Sequence, residues 1–126
     1  MIQNLDNGVA AQGYDVVAFF QGKAVLGNST ASVTHEGATY RFSSSDNKNE
    51  FARTPEKFTP EYGGFCAVAM SEDAQANPNP KSFKIEDGKL YLFTRMLFGI
   101  IDAQRQWNKK PELKTLANTA WSKMNK

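Results

Sequence analysis

The sequence predicts an α+β fold, namely a small single domain of short β-hairpins packed against helices, with a C-terminal helical pair. Short stretches of alternating apolar and polar residues, joined by acidic-glycine pairs, recur before the C-terminal region. The C-terminal region instead carries apolar residues at helical spacing. A chain of 126 residues that is 40% apolar and 22% charged can bury one modest core, so we expect one domain.

The first elements follow a polar start. We expect residues 1–11 to form a flexible lead-in, and 12–126 to form the folded domain. Asp15 precedes the apolar run 16–20 and is a candidate cap for a short helix there. The segment "GKAVLG" at 22–27 is bounded by glycines, which predicts a short strand.

The middle of the chain predicts two hairpins separated by a helix. The hairpins span 32–44, around a Glu-Gly turn, and 82–93, around an Asp-Gly turn. Between them, 44–58 begins with capping serines and predicts a polar helix, in which Pro55 starts a further turn. The prolines in 71–81 predict a loop.

The C-terminal region predicts two helices. Thr94 can cap the first, over 95–107, and the second follows Pro111. The segment "RMLFGII" at 95–101 would be apolar nearly all round such a helix. Because a helix of that kind is either buried or covered by a partner, we expect a homodimer or partner contact through 95–101.

Charge and hydropathy exclude some classes of function. The net charge is +2, and the basic residues are scattered without a stripe or a reader motif, so we expect no nucleic-acid partner. No apolar stretch is long enough to predict a membrane span. No secretory signal is visible, which leaves the compartment open: periplasmic or exported if a signal peptide was removed, otherwise cytoplasmic. The phosphate-loop, dinucleotide, serine-hydrolase and zinc-protease motifs are absent.

The only cysteine, Cys66, lies in "EYGGFCAVAM" at 61–70. Its apolar neighbours favour a buried, inert thiol. The glycine pair before it could instead shape a turn that brings backbone close to a ligand. A nucleophilic cysteine needs a basic partner, and His35 is the only histidine. Cys66 and His35 alone cannot complete a four-ligand metal site of nitrogen and sulfur donors.

Three segments in order resemble the YHS domain family, in particular its small stand-alone bacterial branch. They are "GYDVVAFFQGKAVLG", "ATYRFSSSDNKNEFARTPEKFTPEYGGFCAVA" and "FKIEDGKLYLF", and the resemblance covers roughly residues 12 to 122. This chain departs from that branch at Val16, where relatives carry proline, and at Phe19 and Phe65, where they carry tyrosine.

The resemblance also bears on metal binding. YHS domains attached to heavy-metal transporters carry ligating cysteines, which align here with Ala18, Ser43 and Asn47. Copper(I) and zinc need thiolate or imidazole donors, and these three residues supply none. The resemblance therefore implies that the metal function of those relatives is lost in this chain.

These observations predict a non-enzymatic YHS-type binding module that takes a small-molecule ligand or a protein partner and needs no cofactor. The candidate ligand-binding residues are Tyr14, Asp15, Tyr62 and Cys66. Two alternatives stay open. One is a metal-binding or metal-trafficking protein that holds copper or zinc through Cys66 and His35, and the other is a thiol-dependent enzyme.

Overall fold

The computed structural model describes residues 2–125 and has the predicted α+β fold. The largest sheet has four strands in the order β1-β2-β4-β3, in which β2 and β4 are parallel and the other neighbours are antiparallel. Its strands are Leu5–Asp6 (β1), Val9–Ala10 (β2), Asn28–His35 (β3) and Ala38–Phe42 (β4). The antiparallel pair β3–β4 confirms the first predicted hairpin, with its turn at Glu36 and Gly37.

The N-terminal half differs from the sequence prediction in two places. The prediction of a flexible lead-in over 1–11 did not anticipate β1 and β2, which add to the edge of this sheet. The prediction of a strand over 22–27 was wrong, because only Leu26 bridges, to Tyr14, and the strand begins at Asn28. Such short bridges depend on tertiary contacts that a local pattern does not contain.

Both predicted N-terminal helices are present. Helix α1, Val16–Phe20, begins at Asp15, whose side chain accepts hydrogen bonds from two backbone N–H groups of its first turn. Helix α2, Ser45–Arg53, is capped by the Ser44 hydroxyl in the same way, and a separate turn begins at Pro55.

The second predicted hairpin is also confirmed. Its strands are β5, Asn79–Glu86, and β6, Lys89–Phe93, and it follows a short helix α3, Ala67–Ser71. The predicted loop over 71–81 is too long by a few residues, since β5 already includes Pro80. The hairpin's register is irregular between Asn79 and Phe83, which lets the strand accommodate a proline.

The predicted helix over 95–107 was wrong. A small hairpin replaces its first half, with strands β7, Arg95–Met96, and β8, Ile101–Asp102, and only Gln104–Lys109 (α4) is helical. The turn between the strands contains Gly99, which disfavours a helix, and the paired isoleucines that follow favour extended structure. Helix α5, Glu112–Met124, confirms the last predicted helix and packs against α3.

Strand β6 separates two hydrophobic cores. Leu90 and Leu92 point into the first core, between the four-stranded sheet and helices α1 and α2. Tyr91 and Phe93 point into the second core, against α3, α4 and α5. Because successive side chains of a strand face opposite sides, the four consecutive apolar residues that follow Lys89 in β6 supply both cores.

Candidate functional site

A cleft of about 180 Å³ lies where the N-terminal segment, the turn after Thr59 and the C-terminal helix meet. We call it the Tyr62 cleft. Apolar and aromatic residues line it together with polar ones, a mixture that is found in small-molecule sites. The lining residues that matter below are Ile2, Glu36, Tyr40, Thr59, Glu61, Tyr62, Gly63 and Trp121.

Hydrogen bonds between backbone groups, and between backbone and asparagine side chains, hold the cleft together across distant parts of the chain. The N–H of Asn4 donates to the carbonyl of Gly63 at 2.8 Å, and the side-chain amide of Asn4 donates to the carbonyl of Gly64 at 3.2 Å. At the other wall, the N–H of Ile2 donates to the side-chain oxygen of Asn125 at 2.9 Å. The N-terminal segment is thus tied to the glycine turn and to the end of α5.

The glycine pair shapes the floor of the cleft. Tyr62 and Gly63 both have left-handed backbone, with φ of 58° and 62°. A Cβ on Gly63 would lie 2.7 Å from the carbonyl oxygen of Ile2 and 2.8 Å from the ring of Trp121. Glycine is therefore required here by close approach as well as by conformation.

The two tyrosines of the cleft are kept in their phenol form. Burial raises the pKa of Tyr40 to about 12, and the negative charge of Glu36 adds to this effect. Burial also raises the pKa of Tyr62 well above its ordinary value, with further contributions from negative charge nearby. The Tyr62 hydroxyl donates to the side-chain oxygen of Asn118 at 2.8 Å. Neither phenol can act as a base near neutral pH.

The rim of the cleft is acidic. Glu36 and Glu61 are its only charged side chains among the lining residues in 2–125. Glu61 lies 3.7 Å from the ammonium of Lys89, which offsets part of its charge. Glu36 keeps a half-exposed carboxylate 4.0 Å from the imidazole of His35. The cleft therefore favours a neutral or positively charged ligand over an anion.

Asp15 is the centre of a buried polar network. Its side chain is fully buried, and one carboxylate oxygen caps α1 by accepting from the N–H groups of Val17 and Ala18 at 2.9 and 3.0 Å. The other oxygen accepts from the N–H of Ser43 at 2.8 Å, from its hydroxyl at 2.7 Å and from the side-chain amide of Asn47 at 2.9 Å. Five donors satisfy this carboxylate, so its position is structural.

Three residues that the sequence comparison above singled out for metal binding, Ala18, Ser43 and Asn47, meet at this network. Ser43 and Asn47 contribute side-chain donors to Asp15, and Ala18 contributes its backbone N–H. Ala18 lies in α1 and Asn47 in α2, and Ser43 follows the end of β4.

Cys66 packs in the second core. The residue is 1% exposed, and its N–H donates to the carbonyl of Ala76 at 2.9 Å. Its sulfur accepts from the N–H of Thr94 at 3.3 Å and lies 3.7 Å from the Thr94 hydroxyl. The thiol has no access to solvent and contacts no base.

His35 packs against the first core, whereas Cys66 lies in the second. Its ring packs edge-on against Phe51, with centroids 6.0 Å apart, and Glu36 and Glu56 each lie 4.0 Å from its Nε2. Within residues 2–125, no three histidine, cysteine or carboxylate side chains are grouped so as to hold a metal ion.

The four predicted ligand-binding residues do not form one pocket. Tyr14 stacks on Phe19 against the first core, and Asp15 is sealed within its network. Tyr62 and Cys66 belong to the second core, and only Tyr62 lines the cleft. Tyr14 and Asp15 therefore lie on one side of β6, and Tyr62 and Cys66 lie on the other.

Sequence reasoning missed most of the cleft. Tyr40 belongs to a predicted hairpin and Trp121 to a predicted helix, and nothing in their local patterns indicates a shared wall. The one available signal was the glycine pair, because two adjacent glycines often mark a place where another group comes close.

No helix within residues 2–125 is both long and apolar enough to cross a membrane. A scan against protein-family models found no matching family, and searches of curated proteins and of solved structures found no match.

Proposed function

We propose that this chain is a non-enzymatic binding module of the YHS type, whose family thiol ligands are lost and whose Tyr62 cleft takes a small ligand. The observation that carries the proposal is the cleft itself, an aromatic and apolar cavity of about 180 Å³ with an acidic rim. A volume of this size suits a compact ligand of one or two rings.

The chemistry of the walls specifies the ligand class. Tyr40, Tyr62 and Trp121 offer aromatic surface to a planar or apolar body. The carboxylates of Glu36 and Glu61 suit a positively charged group at the mouth. The ligand that fits both features is a small aromatic or aliphatic amine.

The reactive side chains support binding rather than catalysis. The thiol of Cys66 and the carboxylate of Asp15 are both sealed from solvent and from the cleft. The two phenols stay protonated at neutral pH because their pKa values are raised. Among its lining residues in the described part of the chain, the cleft has no histidine, cysteine or lysine, and its only candidate bases are the rim carboxylates of Glu36 and Glu61.

The residues do not fit a soft metal ion such as copper or zinc. Hydroxyl, amide and backbone N–H donors surround Asp15, and a donor cannot also face a cation. The alternative that joins Cys66 and His35 gains no support either, since each is packed in a different core.

A pair of tryptophan substitutions tests the proposal. Thr59→Trp places a bulky ring in the cleft, whereas Thr54→Trp places the same ring on an exposed position outside it. We expect tryptamine and indole to perturb the amide NMR signals of Tyr62, Gly63 and Trp121, and indole-3-acetate to do so less. Thr59→Trp should abolish these shifts and Thr54→Trp should preserve them. The proposal would be overturned if, for every compound, the chemical-shift changes did not saturate with concentration or were spread over residues outside the cleft.

A further inference from the structure

The hairpin of residues 95–102, which we call the tip hairpin, presents an apolar surface to solvent. Phe98 at its turn is fully exposed. Its apolar neighbours are also unusually exposed, from 48% at Ile101 to 70% at Ile100, with Met96 and Leu97 between them. Five contiguous apolar side chains of this exposure mark an interaction surface.

The turn of the tip hairpin holds its apolar side chains outward at a conformational cost. Leu97 and Phe98 both have left-handed backbone, with φ of 53° and 54°, and Gly99 follows at 91°. Bulky residues adopt this conformation rarely, and such departures cluster at functional positions. The segment therefore projects from the domain instead of folding back onto the second core.

Cations surround the apolar tip. Lys81 and Arg95 line the shallow groove beside Phe98. The guanidinium of Arg105 donates to the carbonyls of Gly99 and Ile100, at 3.1 and 2.8 Å. Within the described chain, none of these three cations forms an ion pair with a carboxylate.

The carboxylate nearest to these cations in the hairpin is already engaged. Asp102 lies opposite Arg95 in the strand register, but its Oδ1 accepts from the hydroxyl of Ser82 at 2.6 Å and from the N–H of Gln104 at 3.0 Å. No other acidic residue occurs between Lys89 and Asp102. The tip thus presents an apolar end with a positively charged collar.

The charge selects an anionic partner over a second copy of this chain. A two-fold contact through the tip would bring the same patch of both copies together, so that each collar would face its like. Like charges at close range disfavour such a contact. A narrow turn with exposed apolar side chains can insert into a lipid layer, which surrounds it, whereas a flat protein face would contact only part of it.

We propose that the tip hairpin docks this protein on an anionic lipid surface, with Phe98 and its apolar neighbours in the acyl boundary and Lys81, Arg95 and Arg105 at the headgroups. Apolar burial and attraction to anionic lipid together set the strength of such binding. This surface lies apart from the Tyr62 cleft, so the proposal stands independently of the ligand proposed there.

Vesicle co-sedimentation tests the proposal. We expect the intact chain to sediment with vesicles of phosphatidylcholine and phosphatidylglycerol at low salt, and much less with phosphatidylcholine alone. Binding should weaken as salt rises, because the collar is screened. Phe98→Ser should lower the affinity on the order of tenfold, since it removes the largest inserted side chain. Lys81→Gln with Arg95→Gln should lower it roughly fivefold per charge.

Leu26→Ser is the matched control, because Leu26 is a large apolar residue that is 61% exposed and lies outside the tip hairpin. It should bind as the unmodified protein does. Equal binding by Phe98→Ser, or no sedimentation with the anionic vesicles, would overturn the proposal. Light scattering that shows a dimer dispersed by Phe98→Ser would also overturn it, in favour of a contact between copies.

Discussion

The side-chain amide of Asn47 donates a hydrogen bond at 2.9 Å to the fully buried carboxylate of Asp15, 32 positions earlier in the chain. This contact joins α2 to the start of α1. Because the same carboxylate also caps α1 and accepts from Ser43, one side chain fixes the relative positions of two helices and the end of β4.

Removal of the Asp15 carboxylate should therefore destabilise the whole domain. Asp15→Ala leaves three buried donors, the N–H groups of Val17 and Ala18 and the amide of Asn47, without an acceptor, and we expect the free energy of unfolding to fall by about 3 kcal/mol or more. Asp15→Asn should also be costly, because its amide group would face other donors. Urea denaturation measures both. Asp46→Asn, at an exposed position in α2, should cost below about 1 kcal/mol, and an equal cost at both positions would contradict this account.

Thiols introduced at the three positions that the proposed YHS resemblance pairs with cysteines should create a metal site. The triple variant Ala18→Cys, Ser43→Cys and Asn47→Cys places a thiol on each of the three residues that donate to Asp15 from its N–H or side chain, and the carboxylate of Asp15 can supply a fourth ligand. We expect this variant to retain zinc after dialysis, as measured by elemental analysis. Ser43→Cys alone should retain none, because one thiolate cannot close a site. A folded triple variant without zinc would argue that these positions do not correspond to the cysteines of the metal-binding relatives.

The sequence was informative where structure is decided locally. The two acidic-glycine turns and the caps at Asp15 and Ser44 were predicted correctly, since each depends on residues within a few positions. The role of Asp15 as a cap was visible, but its bonds to Ser43 and Asn47 were not, because they depend on how α1 and α2 pack.

The sequence was least informative about secondary structure where the same residues can form either a helix or a strand. Apart from Arg95 and Gly99 the segment 95–101 is entirely apolar, so its pattern does not distinguish a helix, which we predicted, from the strands that form. Its apolar character predicted a contact with a partner, and the exposure of the segment in the single chain is compatible with that prediction without testing it. The Tyr62 cleft was hidden for another reason, since its walls come from both ends of the chain.

Cys66 should be slow to alkylate in the folded protein. The thiol is 1% exposed and packs against Thr94, so a reagent can reach it only when the second core opens. We expect iodoacetamide to label it at least about a hundredfold more slowly than in urea-unfolded protein. A reference thiol at the exposed Ser29, introduced as Ser29→Cys with Cys66→Ser, should react at the same rate in both states. Rapid labelling of Cys66 in the folded protein would contradict this prediction and would support the hypothesis of a thiol-dependent enzyme.

Glu86 should contribute stability that is lost in acid. Burial alone would raise the pKa of Glu86, but hydrogen bonds from Lys114 at 3.0 Å and from the Trp107 indole at 3.1 Å, together with lysine charges, outweigh burial and lower it. The unfolded chain therefore binds the proton more readily. The contribution is present above the unfolded pKa and disappears as pH falls through the lower, folded value.

Glu86→Gln measures this contribution. We expect it to reduce the free energy of unfolding by about 0.5 to 1 kcal/mol near neutral pH, since the group is partly exposed. The difference from the unmodified protein should shrink to nothing as the pH falls below the folded pKa of Glu86. Glu72→Gln, at an exposed loop position, should show no such pH-dependent difference. A constant difference for Glu86→Gln across the acid range would mean that the charge of Glu86 is not the cause.

Gly63→Ala should distort the Tyr62 cleft as well as destabilise the domain. Gly88 is the matched control, because both glycines have positive φ, 62° and 74°, but a Cβ on Gly88 meets no atom within 4 Å. Gly88→Ala therefore measures the conformational cost alone. At Gly63 the added Cβ also presses on the carbonyl of Ile2 and the ring of Trp121, at 2.7 and 2.8 Å.

We expect Gly63→Ala to lower the free energy of unfolding by about 2 kcal/mol more than Gly88→Ala does, because a clash with backbone is added to the conformational strain. The indole NMR signal of Trp121 should shift in Gly63→Ala and stay in place in Gly88→Ala. The two walls that the clash pushes apart are those that line the cleft, so binding of tryptamine should weaken in the first variant only. Equal losses of stability in the two variants would show that Gly63 is needed for its backbone conformation and not for the close approach that forms the cleft.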